Sequence, residues 1–241
     1  MRLLLLGVAA LASWPAAAAA CGMTPHVGPT GLILDCDGTE QAATPWRVAV
    51  QGGALRSELH ASDQQLGIEQ ASLIARAERQ LGTRFAAGIS VGSILGGSLS
   101  IPNMGTVDLG VGWTAGASVA ALALAEKDMR PFLLASFSFA YTVTHGDPAG
   151  AIGRSQFTGR DIRLGLAVGK SFGPVRAYAA GRVFGGGFRW EGTAPPLSGG
   201  DTHLYQLGAG AVLQLPAHFD LLVEAMPLGE RSLTAGVGKS F

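Results

Sequence analysis

Two Gly-Lys-Ser segments in this chain of 241 residues resemble part of a known ligand-binding motif. Residues 236–240 (GVGKS) and 169–171 (GKS) share the residue order of a phosphate-binding loop. Such a loop also needs a glycine five residues before its Gly-Lys-Ser and a following helix whose N-terminus faces the phosphates. Those glycine positions hold Leu233 and Leu164, and only Phe241 follows the first segment. We therefore predict no nucleotide site and no other cofactor site.

The other candidates are histidines with acidic or hydroxyl residues near them in sequence. Asp201-x-His203 could activate a water molecule, because a carboxylate and an imidazole within reach of each other can share a proton transfer. A hydrolase or acyltransferase would need His with Ser, or His with Asp and Ser. The residues available for that chemistry, none of them at a specific spacing, are His60, His145, Asp147, Ser57 and Ser155. No metal-ligand spacing is present either, so we predict no catalytic and no metal site.

A larger set of charged residues lies on the polar side of segments in which apolar and polar residues alternate. This two-residue period is typical of strands with one apolar face. In a closed barrel these charges would face the interior, where buried charges must find partners. We therefore predict a paired network that fills a narrow barrel, and a charged constriction that selects solutes is the alternative. The predicted lumen charge network comprises Arg47, Arg76, Glu78, Asp108, Asp161, Arg163, Arg176, Arg182 and Glu224.

The alternation recurs in ten segments from Trp46 onward, separated by turn residues. A helix competes for the second segment, but the turn at residues 81–83 favours a strand. Blurred boundaries at residues 186–187 and 227–230 leave a count of eight strands open. The predicted strands are 46–56, 69–81, 84–97, 106–122, 131–143, 159–170, 174–188, 203–215, 219–227 and 231–241.

Composition and connection lengths indicate that these strands cross a membrane. Only 14% of residues are charged, against about 25% in a typical soluble domain. Beyond the N-terminus no apolar run reaches the roughly 20 residues of a spanning helix. Short connections alternate with longer polar ones, of which residues 144–156 and 191–202 are the longest, as in barrels with short periplasmic turns and long external loops. The predicted fold is an all-β, antiparallel, transmembrane up-and-down β-barrel covering residues 46–241. A soluble β-sandwich or lipocalin-like barrel would need polar outer faces, which the apolar row at residues 162–168 contradicts.

The N-terminus predicts export. Residues 1–2 are a short positive region, 3–14 an apolar stretch and 15–20 a tail of small residues that ends in an Ala-x-Ala cleavage site. This is the pattern of a secretory signal peptide, assigned to residues 1–20. A retained anchor is the alternative, because the apolar run approaches spanning length.

Residues 21–45 show no sustained period and are predicted to form a periplasmic N-terminal extension. They contain the two cysteines of the chain, Cys21 and Cys36. In an exported protein such a pair is expected to form a disulfide. Lipidation of Cys21 is the alternative, since residues 18–21 resemble a lipobox without its customary leucine.

The C-terminal strand ends on Phe241, with Leu233, Ala235 and Val237 on its apolar face. A chain that stops on an aromatic residue at the end of such a strand resembles the C-terminal signature of bacterial outer-membrane β-barrels. The resemblance implies an outer-membrane location in a Gram-negative-type envelope, contact with outer-membrane lipid, and recognition of Phe241 by the barrel assembly machinery. Lys239 departs from the signature, because a bulky apolar residue is usual there.

The aromatic residues are predicted to form two girdles at the membrane interfaces, and Trp113 alone falls mid-strand. The periplasmic set comprises Trp46, Phe85, Phe132, Phe172, Phe219 and Phe241. The outer set comprises Tyr141, Phe188, Trp190 and Tyr205.

With the barrel in place, Asp201-x-His203 resembles the Asp-x-His pair of the omptins, ten-stranded outer-membrane proteases. Omptins carry a second acidic pair across the barrel mouth, whereas the only local acidic pair here, Asp35-x-Asp37, precedes the barrel. We predict a small outer-membrane barrel protein with a structural or surface-interaction role. A narrow pore for small solutes and a membrane-embedded lipid hydrolase or acyltransferase are the alternatives. The balanced charge gives no support for nucleic-acid binding, and the oligomeric state stays open.

Overall fold

The computed structural model describes residues 26–27, 30–31, 46–61, 64–102, 105–146, 155–191 and 196–241. The predicted signal peptide, both cysteines and the acidic pair at residues 35–37 lie outside the described residues, so these predictions remain untested. Two short strands in the predicted extension, β1 (His26–Val27) and β2 (Thr30–Gly31), pair antiparallel. In the described ranges no helix has the length and apolar character that would let it span a membrane.

The remaining strands form one closed antiparallel sheet. They are β3 (Trp46–Ala61), β4 (Gln64–Leu81), β5 (Phe85–Ile101), β6 (Gly105–Leu124), β7 (Phe132–Gly146), β8 (Ser155–Phe172), β9 (Val175–Trp190), β10 (Leu197–Asp201), β11 (Tyr205–Leu215), β12 (Phe219–Gly229) and β13 (Arg231–Ser240). Because β10 and β11 both pair with β9 in the same direction, they are two parts of one interrupted strand. The barrel therefore has ten strands in up-and-down order, as predicted, and the second segment is a strand.

The first and last strands close the barrel. Ten residue pairs join β13 to β3, from Arg231 opposite Arg56 to Ser240 opposite Arg47. Beyond them the backbone N–H of Phe241 donates to the carbonyl of Trp46, with N and O 2.9 Å apart. Closure leaves no unpaired sheet edge.

Two ends of the barrel are distinguished below. The terminal end carries Trp46 and Phe241, and the loop end carries the opposite connections. Over most of its height, starting from the terminal end, the outer wall is apolar. On β3, for example, Val48 and Val50 are exposed while Arg47 and Gln51 are buried inside.

Near the loop end this polarity inverts. On the same strand Leu59 and Ala61 are buried inside, whereas Arg56, Glu58 and His60 are exposed on the outer wall. The strands extend here past their predicted ends, for example to Ala61 instead of residue 56. The predicted connections at residues 144–156 and 191–202 are correspondingly too long, because residues 144–146, 155–156 and 197–201 belong to strands. A prediction that follows outward apolar rows ends a strand where the inversion begins, which is why the predicted segments are too short.

Register irregularities change which residues face inward near the loop end. The β4–β5 pairing shifts between Ala71 and Ser72, where Gly96 of β5 has a φ of +146°, a value that favours glycine. The β6–β7 pairing shifts between Leu109 and Gly112. As a result Leu109 and its neighbour at 107 are buried inside, and Asp108 is exposed on the outer wall. The prediction that Asp108 lies in the lumen is therefore wrong.

Two apolar clusters fill much of the interior. The terminal-end cluster comprises Ala86, Ala120, Leu122, Phe132, Leu134, Ala167, Tyr178, Ala180, Val212, Leu222 and Met226. The loop-end cluster comprises Leu59, Ala61, Leu66, Ile68, Leu99, Ile101, Val107, Leu109, Phe157, Phe188 and Trp190.

The aromatic predictions need three corrections. Phe188 and Trp190, predicted in the outer girdle, pack inside the loop-end cluster. Phe132, predicted in the periplasmic girdle, packs inside the terminal-end cluster. None of the three faces lipid. Inward-facing rings are explained by the inverted polarity at the loop end and by the apolar filling at the terminal end. Trp113 stands on the outer wall with its ring centroid 5.7 Å from that of Tyr141, so these two rings share one level.

Candidate functional site

The most deeply buried ion cluster lies near the terminal end, beside the closing seam. Arg47 donates from Nε and Nη2 to the two carboxylate oxygens of Asp220, over 3.0 and 2.6 Å, and from Nη1 to Glu78, over 3.2 Å. All three side chains are almost fully buried. Arg47 belongs to β3 and Asp220 to β12, so the guanidinium reaches across the intervening strand β13. Gly238 of β13 makes this reach feasible, since a Cβ there would lie 2.0 Å from Nη2 of Arg47.

A second group of buried partners joins β9, β11 and β12. Arg182 donates from Nη2 to Glu224 over 2.6 Å and from Nη1 to Gln206 over 3.1 Å. The hydroxyl of Tyr178 also donates to Glu224, over 3.0 Å. Arg76 is buried among Glu78, Glu224, Arg47 and Arg182 and so experiences charges of both signs.

A third group of interior charges, nearer the loop end, is centred on Arg163. Arg163 donates to Glu230 over 2.7 Å and to Gln206 over 3.1 Å, and its Nε donates to Asp161. Its guanidinium carbon lies 4.7 Å from the ring centroid of Phe184. The charges thus continue from level to level, because Gln206 contacts both Arg163 and Arg182.

Arg176 also lies near the terminal end, one residue after the start of β9. Its Nε donates to Ser171 over 3.0 Å, and its guanidinium carbon lies 5.8 Å from the ring centroid of Phe132. Ser171 is in turn held by Glu126, which accepts from its hydroxyl over 2.9 Å.

A cavity of about 150 Å³ lies above Arg163, between the charged levels and the loop-end cluster. Its polar lining comprises Ser57, Gln70, Thr142, Arg160, Asp161, Arg163, Asp201 and Glu230, and Phe157 and Phe188 are among its apolar lining. These two rings are stacked, with centroids 5.6 Å apart.

Asp201 lies in β10, at the level of the polar outer wall. Burial raises the pKa of its carboxyl to about 6, and the nearby carboxylates of Glu230 and Asp161 act in the same direction. Arg163 and His60 act in the opposite direction. The carboxylate has room because residue 186 is a glycine, where a Cβ would lie 2.9 Å from Oδ2 of Asp201.

Eight of the nine charges assigned to the lumen from sequence lie on inward positions, and Asp108 is the exception. Sequence reasoning missed Asp220, Glu230 and Asp201 as interior charges, since it considered Asp201 only as part of the Asp201-x-His203 pair. The signal for Asp220 was available, because it shares the parity of Glu224 on β12. Glu230 and Asp201 lie at a turn and at a strand interruption, where parity does not apply.

The other motifs do not assemble into sites. Asp201 lines the interior cavity, whereas His203 lies on the outer wall, with Nδ1 3.8 Å from a carboxylate oxygen of Glu58. Ser57 is buried inside and His60 is exposed outside, although only three residues separate them.

His145 and Ser155 lie on neighbouring strands but face opposite sides of the barrel wall. His145 is exposed, Ser155 donates to the carbonyl of Gly146 over 2.6 Å, and Asp147 lies outside the described residues. In the described part of the chain, no group of three or more His, Cys, Asp or Glu residues could hold a metal ion.

The Gly-Lys-Ser segments both lie in strands, β8 and β13, so neither precedes a helix. Lys239 projects outward, and its Nζ lies 5.0 Å from the ring centroids of both Phe219 and Phe241. The residue that departs from the C-terminal signature is therefore held between two terminal-end rings.

Comparison with known proteins places the fold. No protein-family model matches the chain, and no curated protein matches its sequence. The outer membrane protease OmpT from Escherichia coli matches in structure with a TM-score of 0.52 at 11% identity, over 86% of this chain and 100% of that chain. The translocator domain of the autotransporter NalP from Neisseria meningitidis gives 0.48 at 14% identity, over 85% and 91%. The β domain of the Bordetella autotransporter BrkA gives 0.46 at 13%, over 82% and 100%. The fold is that of a bacterial outer-membrane β-barrel, and at these identities the likeness concerns the fold alone.

Proposed function

We propose that this protein is an integral outer-membrane barrel with a filled, non-conducting interior and a structural or surface-interaction role. The observation that carries the proposal is the packing of the interior. Apolar clusters occupy both ends, and buried ion pairs lie beside and between them. Water-filled barrels instead have a continuous polar lumen.

The outer wall supports the membrane placement. Its exposed apolar band continues around the barrel, with Val50, Ile89, Phe137, Leu164 and Val223 on five different strands. A row of this kind favours contact with lipid acyl chains. Phe241 and Phe219 at the terminal end, with Lys239 between them, fit a girdle at headgroup level. We also propose that the barrel assembly machinery recognises Phe241, because this aromatic residue directly follows the last strand of the barrel.

The loop end is the surface that would meet a partner outside the cell. There the outer wall becomes polar while the strands continue, so a short collar stands beyond the apolar band. The strands that flank residues 147–154 and 192–195, within the two longest predicted connections, end at this collar. Loops on a rigid scaffold are where recognition is usually carried.

A planar lipid bilayer tests the proposal against the narrow pore. Purified, folded protein is expected to insert without discrete conductance steps. Arg182→Ala and Arg176→Ala test whether lumen charges carry any current, and Arg56→Ala, on the outer wall, is the matched control. Discrete steps in the wild type that change in either lumen variant but not in Arg56→Ala would overturn the proposal and establish the pore.

A further inference from the structure

The interior cavity contains polar groups whose hydrogen-bonding capacity is unused. Ser57 is 5% exposed, and its hydroxyl has no hydrogen-bond partner. The side-chain nitrogen of Gln70 and Oδ1 of Asp161 are also buried without a partner. A buried polar atom left unpaired costs free energy comparable to a lost hydrogen bond. Three such atoms around one cavity therefore point to an occupant.

The charges around the cavity do not balance. Three carboxylates, on Asp161, Asp201 and Glu230, line the cavity, and among its described lining residues the inward-facing guanidinium is that of Arg163. Arg163 already contacts both Asp161 and Glu230, whereas the side-chain carboxylate of Asp201 makes no hydrogen bond or ion pair within the described part of the chain. Arg160 also borders the cavity but belongs to the exposed outward row of β8. Excess negative charge that is partly removed from water is stabilised by a cation or a proton.

We propose that this cavity binds a small organic cation, an alkylammonium or guanidinium ion about the size of benzene. A cavity of about 150 Å³ accommodates benzene in an engineered protein core. The carboxylates supply charge-assisted hydrogen-bond acceptors, and the stacked rings of Phe157 and Phe188 supply apolar and π surfaces on which such a cation rests. A directly coordinated metal ion fits less well, because the described residues lack a group that could hold one.

Protonation of Asp201 competes with the cation, because either one neutralises the excess charge. The groups that act electrostatically on this carboxyl are Glu230 from the β12–β13 turn and Asp161 and Arg163 from β8, which line the same cavity, and His60 from the outer face of β3. Cation affinity should therefore fall as the pH is lowered through the pKa of Asp201.

The test measures urea unfolding of the barrel refolded in detergent, with butylammonium chloride present during refolding so that slow entry does not matter. Saturable binding to the folded state raises the folded-to-unfolded ratio about 100-fold at a concentration 100 times the dissociation constant. Sodium chloride controls for ionic strength and butanol for apolar filling, and neither should reproduce the effect. The effect should weaken at pH 5 relative to pH 7.

Asp201→Asn should lower the affinity for butylammonium about tenfold or more, as loss of a charged hydrogen-bond partner predicts. Asp108→Asn, on the outer wall, should leave it unchanged, and Ser57→Ala gives a second cavity variant if Asp201→Asn folds poorly. The proposal is overturned if butylammonium stabilises the folded barrel no more than sodium chloride or butanol does. That result is expected if water or a proton alone occupies the cavity. The proposal is also overturned if folded Asp201→Asn responds as the wild type does.

Discussion

The Arg47 cluster allows the sharpest test of how the barrel is closed. Replacing Arg47 by methionine keeps most of the apolar stem and removes the guanidinium. Asp220, which is 0% exposed, then loses its bidentate partner, and Glu78, at 2%, loses one donor. Removing one member of a buried ion pair costs about 3–5 kcal/mol, because the other charge stays buried. We expect Arg47→Met to lower the free energy of unfolding by that amount.

Urea unfolding of the folded barrel, followed by tryptophan fluorescence, measures this loss. Arg56→Met is the matched control on the same strand, because Arg56 pairs with Glu69 over 3.3 Å on the exposed wall. Exposed pairs contribute about 0–1 kcal/mol. The double variant Arg47→Met with Asp220→Asn should recover part of the loss, because the buried negative charge of Asp220 is then removed as well. If Arg47→Met unfolds within about 1 kcal/mol of Arg56→Met, the cluster does not stabilise the seam and the reasoning is refuted.

Three further predictions concern the seam, the C-terminus and pH. Gly238→Ala should lower the free energy of unfolding by about 1–3 kcal/mol, because its Cβ would displace the Arg47 guanidinium. The urea midpoint should fall accordingly, and an unchanged midpoint contradicts this. Deleting Phe241 should reduce the fraction of folded barrel recovered from membranes, whereas Lys239→Leu should assemble normally; equal yields for the deletion and the wild type would count against the assembly role. Because the pKa of Asp201 is raised to about 6 from 3.8, the folded state binds more protons than the unfolded state between these values. Its contribution to stability should therefore fall as pH rises through this window, and Asp201→Asn should remove that part of the pH dependence.

The sequence was a good guide where one physical rule held along a whole strand. On β8, Ile162, Leu164 and Leu166 alternate with Asp161 and Arg163, and the structure places the first set outside and the second inside. The second segment had a helical competitor, but the turn at residues 81–83 favoured the strand, which the structure confirms. A count of ten followed, because each connection reverses the chain.

The same rule failed where its assumptions changed. Asp108 was assigned by parity, and the irregularity between Leu109 and Gly112 reversed the faces of β6. Phe188 and Trp190 were assigned by analogy to interface girdles, although the wall around them is polar outside and apolar inside. A local period carries no information about a bulge elsewhere in the sheet or about the level at which lipid contact ends.

By itself the sequence determined which residues share a face and that the strands form an antiparallel sheet, because both follow from a period of two and from turn residues. Only the tertiary structure decided which charges meet. Arg47 and Asp220 are 173 residues apart and come together because closure places β3, β13 and β12 side by side. The cavity around Asp201 also depends on closure of the barrel. It lies where β10, the first part of the interrupted strand, pairs with β3 beyond the short β12–β13 turn.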